Sequence, residues 1–120
     1  MSAFALILKR LVERVPGATG AVFADWEGES VSEFAASLPQ LEIQIVGAQW
    51  GLVWRELRGS FGRAGLGSPR ELIVDGERGG AVVRKVTDEY YVVLSLSSRA
   101  QLGMALVELE RGAAELAAEM

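Results

Sequence analysis

The chain has 120 residues, half of them hydrophobic, which is enough for one globular core without disulfides or metals. It contains neither His nor Cys, which excludes Ser-His and Cys-His catalysis, disulfides and the common zinc sites. The net charge is −4 and no basic run occurs, so nucleic-acid binding, which needs a basic surface, has no support. We therefore expect one cytoplasmic domain over residues 1–120, without a cofactor.

The first predicted element is an amphipathic helix over residues 2–15. Ser2 can cap its start, and Pro16-Gly17 ends it. The opening apolar run does not read as a targeting or membrane-inserting segment. Its charges follow the apolar residues instead of preceding them, and it is too short to span a bilayer.

A β-hairpin is predicted next, with strands over residues 20–25 and 29–34. Residues 26–28 form its turn, where Gly28 can adopt a positive φ. We interpret Asp25 as a turn residue that bonds the backbone of the bend. A catalytic role is disfavoured because the sequence places no second acid to work with it.

The stretch from Pro39 to Phe61 is predicted to be a long helix with two apolar stripes. The first stripe consists of Ile43, Val46, Trp50, Val53, Trp54, Leu57 and Phe61. The second lies nearly opposite and consists of Leu41, Ile45, Ala48 and Leu52. A surface helix of a monomeric domain needs one stripe, so the second indicates either a partner chain or a helix buried on both sides within one fold. Gly47 and Gly51 lie between the stripes and cost about 1 kcal/mol each, which close approach of another backbone would explain.

Three strands are predicted in the second half, over residues 71–75, 81–86 and 90–96, joined by turns. The last run is apolar almost throughout, as expected of a central strand covered on both faces. The GRAGLG segment before them resembles a phosphate-binding loop only superficially, because it follows a helix and lacks the Lys-Ser/Thr ending.

The final helix is predicted to open at Ser98, since Gln101 three positions later completes a capping-box pattern. Its inner face is expected to consist of Leu102, Leu106, Leu109, Ala113 and Leu116. The whole order is α-β-β-α-β-β-β-α. We therefore predict an α+β fold with three α/β/α layers around a central five-stranded antiparallel sheet.

Several segments in this order carry a family resemblance. They are Leu11-Val-Glu-Arg-Val-Pro-Gly17, Gly20-Ala-Val-Phe-Ala-Asp25, the turn ending at Gly28, the Gly79-Gly80 hairpin, and Tyr91-Val-Val-Leu followed by Ala100-Gln-Leu-Gly103. Together they resemble the roadblock family of dynein light-chain type, which includes bacterial regulators of small GTPases. The resemblance spans nearly the whole chain.

The resemblance implies a homodimer in which two sheets join edge to edge at the strand after the long helix, with the long helices side by side. The interface residues expected on this basis are Leu41, Ile45, Ala48 and Leu52 of the helix and Glu71, Ile73 and Asp75 of the strand. The implied function is a non-enzymatic module that binds or regulates a Ras-like small GTPase. Some bacterial members accelerate GTP hydrolysis without donating an arginine finger.

Candidate partner contacts on the long helix are Gln44, Trp54, Arg55 and Arg58, because Arg and Trp are enriched at binding hot spots. The alternative places Trp54 in the core and leaves the arginines solvated or paired with Glu56. Two other functions stay open: a small-molecule-sensing domain, and a structural scaffold of the same fold without a GTPase partner. An enzyme has the least support, because no catalytic side chains are placed.

Overall fold

A computed structural model describes all residues from Met1 to Met120. The elements are α1 (Ala3–Arg14), β1 (Ala18–Asp25), β2 (Ser30–Ala35), α2 (Gln40–Arg63), β3 (Glu71–Gly76), β4 (Gly79–Thr87), β5 (Tyr90–Ser97) and α3 (Leu102–Ala118). This order and the α+β class confirm the prediction. Gly79 and Gly80, predicted as part of a turn, instead begin β4, because the hairpin closes at Gly76 opposite Gly79 and leaves a two-residue loop.

The five strands form one antiparallel sheet in the order β2-β1-β5-β4-β3. The central strand is β5, whose residues from Tyr91 to Leu94 are all buried. Its nearly continuous apolar run is explained by the helices that cover both of its faces. The edges of the sheet are β2 and β3.

Helices α1 and α3 cover one face of the sheet, where Leu8, Phe23 and Leu94 belong to the larger core. Helix α2 lies on the other face, where Ile43 and Trp54 pack with Tyr91 in a smaller core. Helix α2 lies mainly against β1, β2 and β5, so β3 and β4 are the strands that it covers least. None of the three helices has the length and apolarity needed to cross a bilayer.

The buried side of α2 is centred on Ile43, Gly47, Gly51 and Trp54, which corrects the predicted position of the glycines. They lie in the middle of the buried face, and their neighbours belong to the chain's own sheet. A Cβ atom on Gly47 would lie 2.7 Å from Cγ1 of Val22. The placement of Val53 on the inner stripe is also wrong, since its side chain is 42% exposed. The contact line follows the smallest residues, because they allow the helix to approach the sheet most closely.

The predicted cap of α1 is confirmed, because the Ser2 hydroxyl accepts a hydrogen bond of 3.1 Å from the Ala5 N–H. The predicted start of α3 at Ser98 is wrong. The helix begins at Leu102, and Gln101 makes no side-chain capping bond. The Ser97 N–H instead donates to the Gly17 carbonyl oxygen at 2.8 Å, and the Ala100 N–H donates back to Ser97. These bonds hold the segment as a turn against the α1–β1 connection.

The predicted inner face of α3 is correct in part. Leu109, Ala113 and Leu116 are buried, whereas Leu102 is 38% exposed. Leu102 is the first residue of the helix as the structure has it, so it lies at the rim of the core rather than beneath the helix.

Candidate protein–protein interface

The outward side of α2 carries an exposed aliphatic row. Its members are Leu41, Ile45, Ala48 and Leu52, and we call them the outer stripe. Leu41 and Leu52 are 68% and 57% exposed. The spacing of four, three and four residues places the side chains on one face of the helix. A contiguous apolar surface of this kind is typical of an interaction site.

The edge strand β3 offers unpaired backbone groups at one end of the sheet order. The Lys85 N–H donates to the Arg70 carbonyl oxygen at 3.0 Å, and the ladder continues to Gly76 opposite Gly79. Because hydrogen-bonded and non-bonded pairs alternate in an antiparallel ladder, the residues bonded to β4 are the even-numbered ones. Glu71, Ile73 and Asp75 therefore direct their N–H and C=O groups toward the open edge. Such an edge is a template for pairing with another strand.

A charged cluster lies next to this edge. The Arg84 guanidinium contacts the Glu71 carboxylate at 2.8 Å and the Glu110 carboxylate at 3.8 Å. Arg84 and Glu71 are both less than one-quarter exposed, so this pair is screened less than an ordinary surface pair. Asp75, at the other end of β3, is exposed and makes no salt bridge.

A groove of about 500 Å³ separates α2 from the β3–β4 hairpin. Its apolar lining includes Val46 and Trp50 of α2 and Val74 of β3. All three side chains are only partly buried. The α2 side of the sheet is therefore incompletely covered at the edge where β3 is open.

A second candidate surface lies where α2 meets two hairpin turns. The Arg55 guanidinium donates to the Trp26 carbonyl oxygen at 2.8 Å, and the Trp26 N–H donates to the Glu89 carbonyl oxygen at 2.9 Å. A cleft of about 450 Å³ is lined by Trp26, Arg55, Arg58, Asp88 and Glu89, and we call it the turn cleft. The Trp26 side chain is 49% exposed there.

The electrostatics of the turn cleft are mixed rather than strongly positive. A hydrogen bond from Lys85, at 2.7 Å, lowers the pKa of Asp88, and the charges of Lys85 and Arg58 add to this effect. Burial raises the pKa of the nearby Tyr91 hydroxyl, although the charge of Arg55 opposes that rise. Neither Arg55 nor Arg58 pairs with Glu56.

Asp25, beside the cleft, has the turn role that the sequence predicted. Its Oδ1 atom accepts hydrogen bonds of 3.0 Å from the N–H groups of Glu27 and Glu29. Gly28 adopts a φ of 90° within the same turn, a conformation that glycine takes without steric cost.

The four predicted partner contacts do not form one site. Trp54 is 2% exposed and packs against the sheet, so its indole is a core side chain and its assignment as a surface contact was wrong. Gln44 donates to the Glu33 carboxylate at 2.7 Å and so ties α2 to β2. It lies about 16 Å along the helix axis from Arg55, at about 1.5 Å per residue. Only Arg55 and Arg58 share a surface, and the sequence analysis missed Trp26, Asp88 and Glu89, which complete it.

The carboxylate that Gln44 contacts is itself part of a small polar network. The Ser30 hydroxyl makes a short hydrogen bond to Glu33, and Gln40 donates to it at 3.0 Å. The pKa of Glu33 is lowered, chiefly by the Ser30 hydrogen bond and further by Gln44 and Gln40. These contacts give Gln44 a structural role in the chain itself.

No family model matches the sequence, and no curated protein matches it either. Solved structures do match its fold. A Roadblock/LC7 domain from Streptomyces avermitilis is 17% identical, with a TM-score of 0.87 over 96% of this chain and 95% of that one. The gliding protein MglB from Thermus thermophilus is 19% identical, with a TM-score of 0.86 over 97% of this chain and 87% of that one.

A third structure, described as MglB with a tetrameric arrangement, is 20% identical. Its TM-score is 0.85 over 96% of this chain and 85% of that one. The chain therefore has the roadblock fold over nearly its whole length, as the segments in the sequence indicated.

Proposed function

We propose that residues 1–120 act as one non-enzymatic, homodimeric interaction module in the cytoplasm, which binds or regulates a Ras-like small GTPase. The observation that carries the proposal is that the molecule leaves three features uncovered: an exposed aliphatic stripe on α2, a half-covered apolar groove and the open edge of β3. Exposed apolar surface and an open strand edge are typical of proteins that bind another chain.

A twofold homodimer would pair the β3 edge and cover the groove, and we place the outer stripe in the same interface. In such an interface the same surface is used by both copies, so β3 pairs with its own copy and the two α2 helices lie side by side. The outer stripe and the exposed face of Ile73 lose contact with water, and the partner's helix layer covers the groove at Val74. Self-association is also in keeping with the tetrameric arrangement described for one MglB structure of the same fold.

The GTPase partner is proposed from the family resemblance, and the turn cleft is the surface that we assign to it. The cleft presents an exposed Trp together with two arginines, and these residue types are enriched at binding hot spots. Its lining comes from α2 and from the turns after β1 and β4 and includes no residue of β3, so pairing of the β3 edges leaves it accessible. The Arg55 guanidinium is held by the Trp26 carbonyl oxygen. Arg55 therefore positions an exposed indole and is not a free side chain that reaches into another active site.

This arrangement supports regulation by differential binding. A binding partner shifts the equilibrium between the two nucleotide states of a GTPase only to the extent that its affinities for those two states differ. The chain brings no His or Cys and no nucleotide-binding loop. Because Arg55 is held by the Trp26 carbonyl oxygen, we propose that any acceleration of hydrolysis comes from repositioning the residues of the GTPase itself.

The direct test is calorimetric titration of the chain into a Ras-like GTPase from the same genome, loaded with GDP or with a non-hydrolysable GTP analogue. We expect binding to one nucleotide state to be tighter by about tenfold or more, a coupling of about 1.4 kcal/mol. Trp26→Ala should weaken that binding, whereas Leu66→Ala, an exposed change outside the cleft, should not. Equal affinities for both states would contradict regulation, and absence of binding would favour the scaffold or small-molecule alternative.

A further inference from the structure

We infer that the two copies join through β3 in one particular register, with Ile73 of one copy directly opposite Ile73 of the second. This inference rests on the proposed homodimer and specifies its geometry. Two antiparallel copies of one strand related by a twofold axis must place some residue opposite itself. The short strand offers three choices, centred on Leu72, Ile73 or Val74.

Hydrogen bonding favours the register centred on Ile73. The groups free to bond across the edge belong to Glu71, Ile73 and Asp75, as the ladder between β3 and β4 dictates. In this register Ile73 faces Ile73 of the second copy, and Glu71 of each copy faces Asp75 of the other. All three residues therefore form hydrogen-bonded pairs.

The two other registers leave backbone groups without partners. Centring on Leu72 would set Asp75 opposite Pro69, which has no N–H. Centring on Val74 would set Glu71 opposite Glu77, within the hairpin loop. Both alternatives leave backbone groups unpaired inside the interface, which is unfavourable.

Side-chain pairing favours the same register. On the α3 side of the sheet Ile73, which is 44% exposed, is covered by its own copy. On the α2 side Leu72 of each copy faces Val74 of the other, which gives two apolar pairs. Each alternative register places Ile73 opposite a carboxylate, either Glu71 or Asp75. Cross-strand apolar pairs stabilise a sheet, and only the register centred on Ile73 gives Leu72, Ile73 and Val74 an apolar residue opposite each of them.

This register has one unfavourable feature, and the structure shows what offsets it. Glu71 lies opposite Asp75 of the second copy, so two carboxylates face each other at both ends of the paired strands. Directly opposed like charges weaken a strand pair. Arg84 contacts Glu71 at 2.8 Å and offsets part of this repulsion from within the same chain. The apolar pairs at the centre of the paired strands therefore stabilise the dimer, and the opposed carboxylates at the two ends weaken it.

Cysteine cross-linking tests the register, because the chain has no Cys of its own. Leu72→Cys, Ile73→Cys and Val74→Cys are prepared singly, checked for native circular dichroism, and oxidised. Opposed bonded residues have Cα atoms about 5.5 Å apart, within the range of a disulfide. Diagonal neighbours lie about 7–8 Å apart, mostly beyond that range. We expect Ile73→Cys to give a covalent dimer and the other two to remain uncrosslinked.

The other outcomes separate the register from the dimer itself. Cross-linking of Leu72→Cys or Val74→Cys in place of Ile73→Cys would overturn the register and leave the homodimer standing. A dimeric mass without any cross-link would also overturn the register. A monomeric mass without any cross-link would overturn the homodimer, and this inference with it.

A charge reversal gives an independent readout in solution. Asp75→Lys would set an ammonium group opposite Glu71 of the second copy and turn two repulsive pairs into attractive ones. We expect the dimer dissociation constant to fall by about tenfold. Glu77→Lys is the matched control, because it makes the same charge change in the hairpin loop. If Asp75→Lys tightens the dimer no more than Glu77→Lys does, Asp75 does not face Glu71 and the register is wrong.

Discussion

The hydroxyl of Tyr91 lies directly beneath Gly51 of α2, so close that a Cβ atom at position 51 would collide with it. The same hydroxyl donates a hydrogen bond of 3.4 Å to the Gly47 carbonyl oxygen. The two glycines thus allow the helix to settle onto the aromatic ring of a central strand. This contact fixes the rotation of α2 about its axis, and so fixes which apolar residues face solvent.

Gly51→Ala should therefore destabilise the domain, although alanine is the better helix former. The added methyl group has no space above Tyr91, and overpacking of this kind costs about 1–3 kcal/mol. Gly62→Ala is the control, since a Cβ there meets no atom within 4 Å, and it should stabilise by about 0.4–1 kcal/mol. Urea denaturation measures both, and equal effects at the two positions would contradict the close contact.

The rotation of α2 about its axis is also the part of the fold that sequence periodicity predicts incorrectly. The number, type and order of the elements could be predicted, because turn residues and apolar spacing agree along the chain. The buried face of α2 could not, because periodicity assumes that large apolar side chains mark the contact. Here the contact line passes through Gly47 and Gly51. Glycine carries no hydrophobic signal, so Val53 was assigned to the wrong side.

A pair of carboxylate substitutions distinguishes the two sides of α2. Leu52→Asp places a charge on the outer stripe, and the chain should stay folded and associate more weakly. Ile43→Asp buries an unpaired charge at a position that is 0% exposed, which costs several kcal/mol and should unfold the domain. Circular dichroism and light scattering report both properties. A folded Ile43→Asp chain, or an unfolded Leu52→Asp chain, would mean that the sides are assigned wrongly.

Glu33 gives the domain an acid-sensitive contribution to stability. Its folded-state pKa is lowered, chiefly by the Ser30 hydrogen bond. The stabilisation is therefore complete above the usual glutamate value near 4.5 and is lost as the pH falls through the folded-state pKa. Since much of the group contacts solvent, we expect less than about 1 kcal/mol. Urea denaturation at several pH values should show a shallower acid loss for Glu33→Gln, and identical pH profiles would contradict this role.

Replacing Arg55 and Arg58 together by Ala tests how the turn cleft acts on a GTPase. Loss of the Arg55 bond to the Trp26 carbonyl oxygen frees the indole and should weaken binding. The maximal hydrolysis rate at saturating protein should stay nearly unchanged. A fall of about a thousandfold in that rate, the scale of a lost arginine finger, would contradict positioning by these arginines.

The turn cleft shows why a surface site is harder to predict than a core. Trp26, Arg55 and Asp88 come from three separate parts of the chain, and only the pairing of β1 with β5 brings the two turns together. The available signal was a large aromatic residue within a polar turn, which packing alone does not require. Trp54 carried the same hot-spot signal from residue type alone, and the structure places it in the core.

The mass of the chain in solution tests the central claim most directly. Both the joined β3 edges and the covered outer stripe require two copies. Multi-angle light scattering at micromolar concentration should therefore give twice the chain mass of 12.9 kDa, and Leu52→Asp should shift that mass toward one copy. A mass of 12.9 kDa for the unmodified chain would contradict the homodimer and the register derived from it.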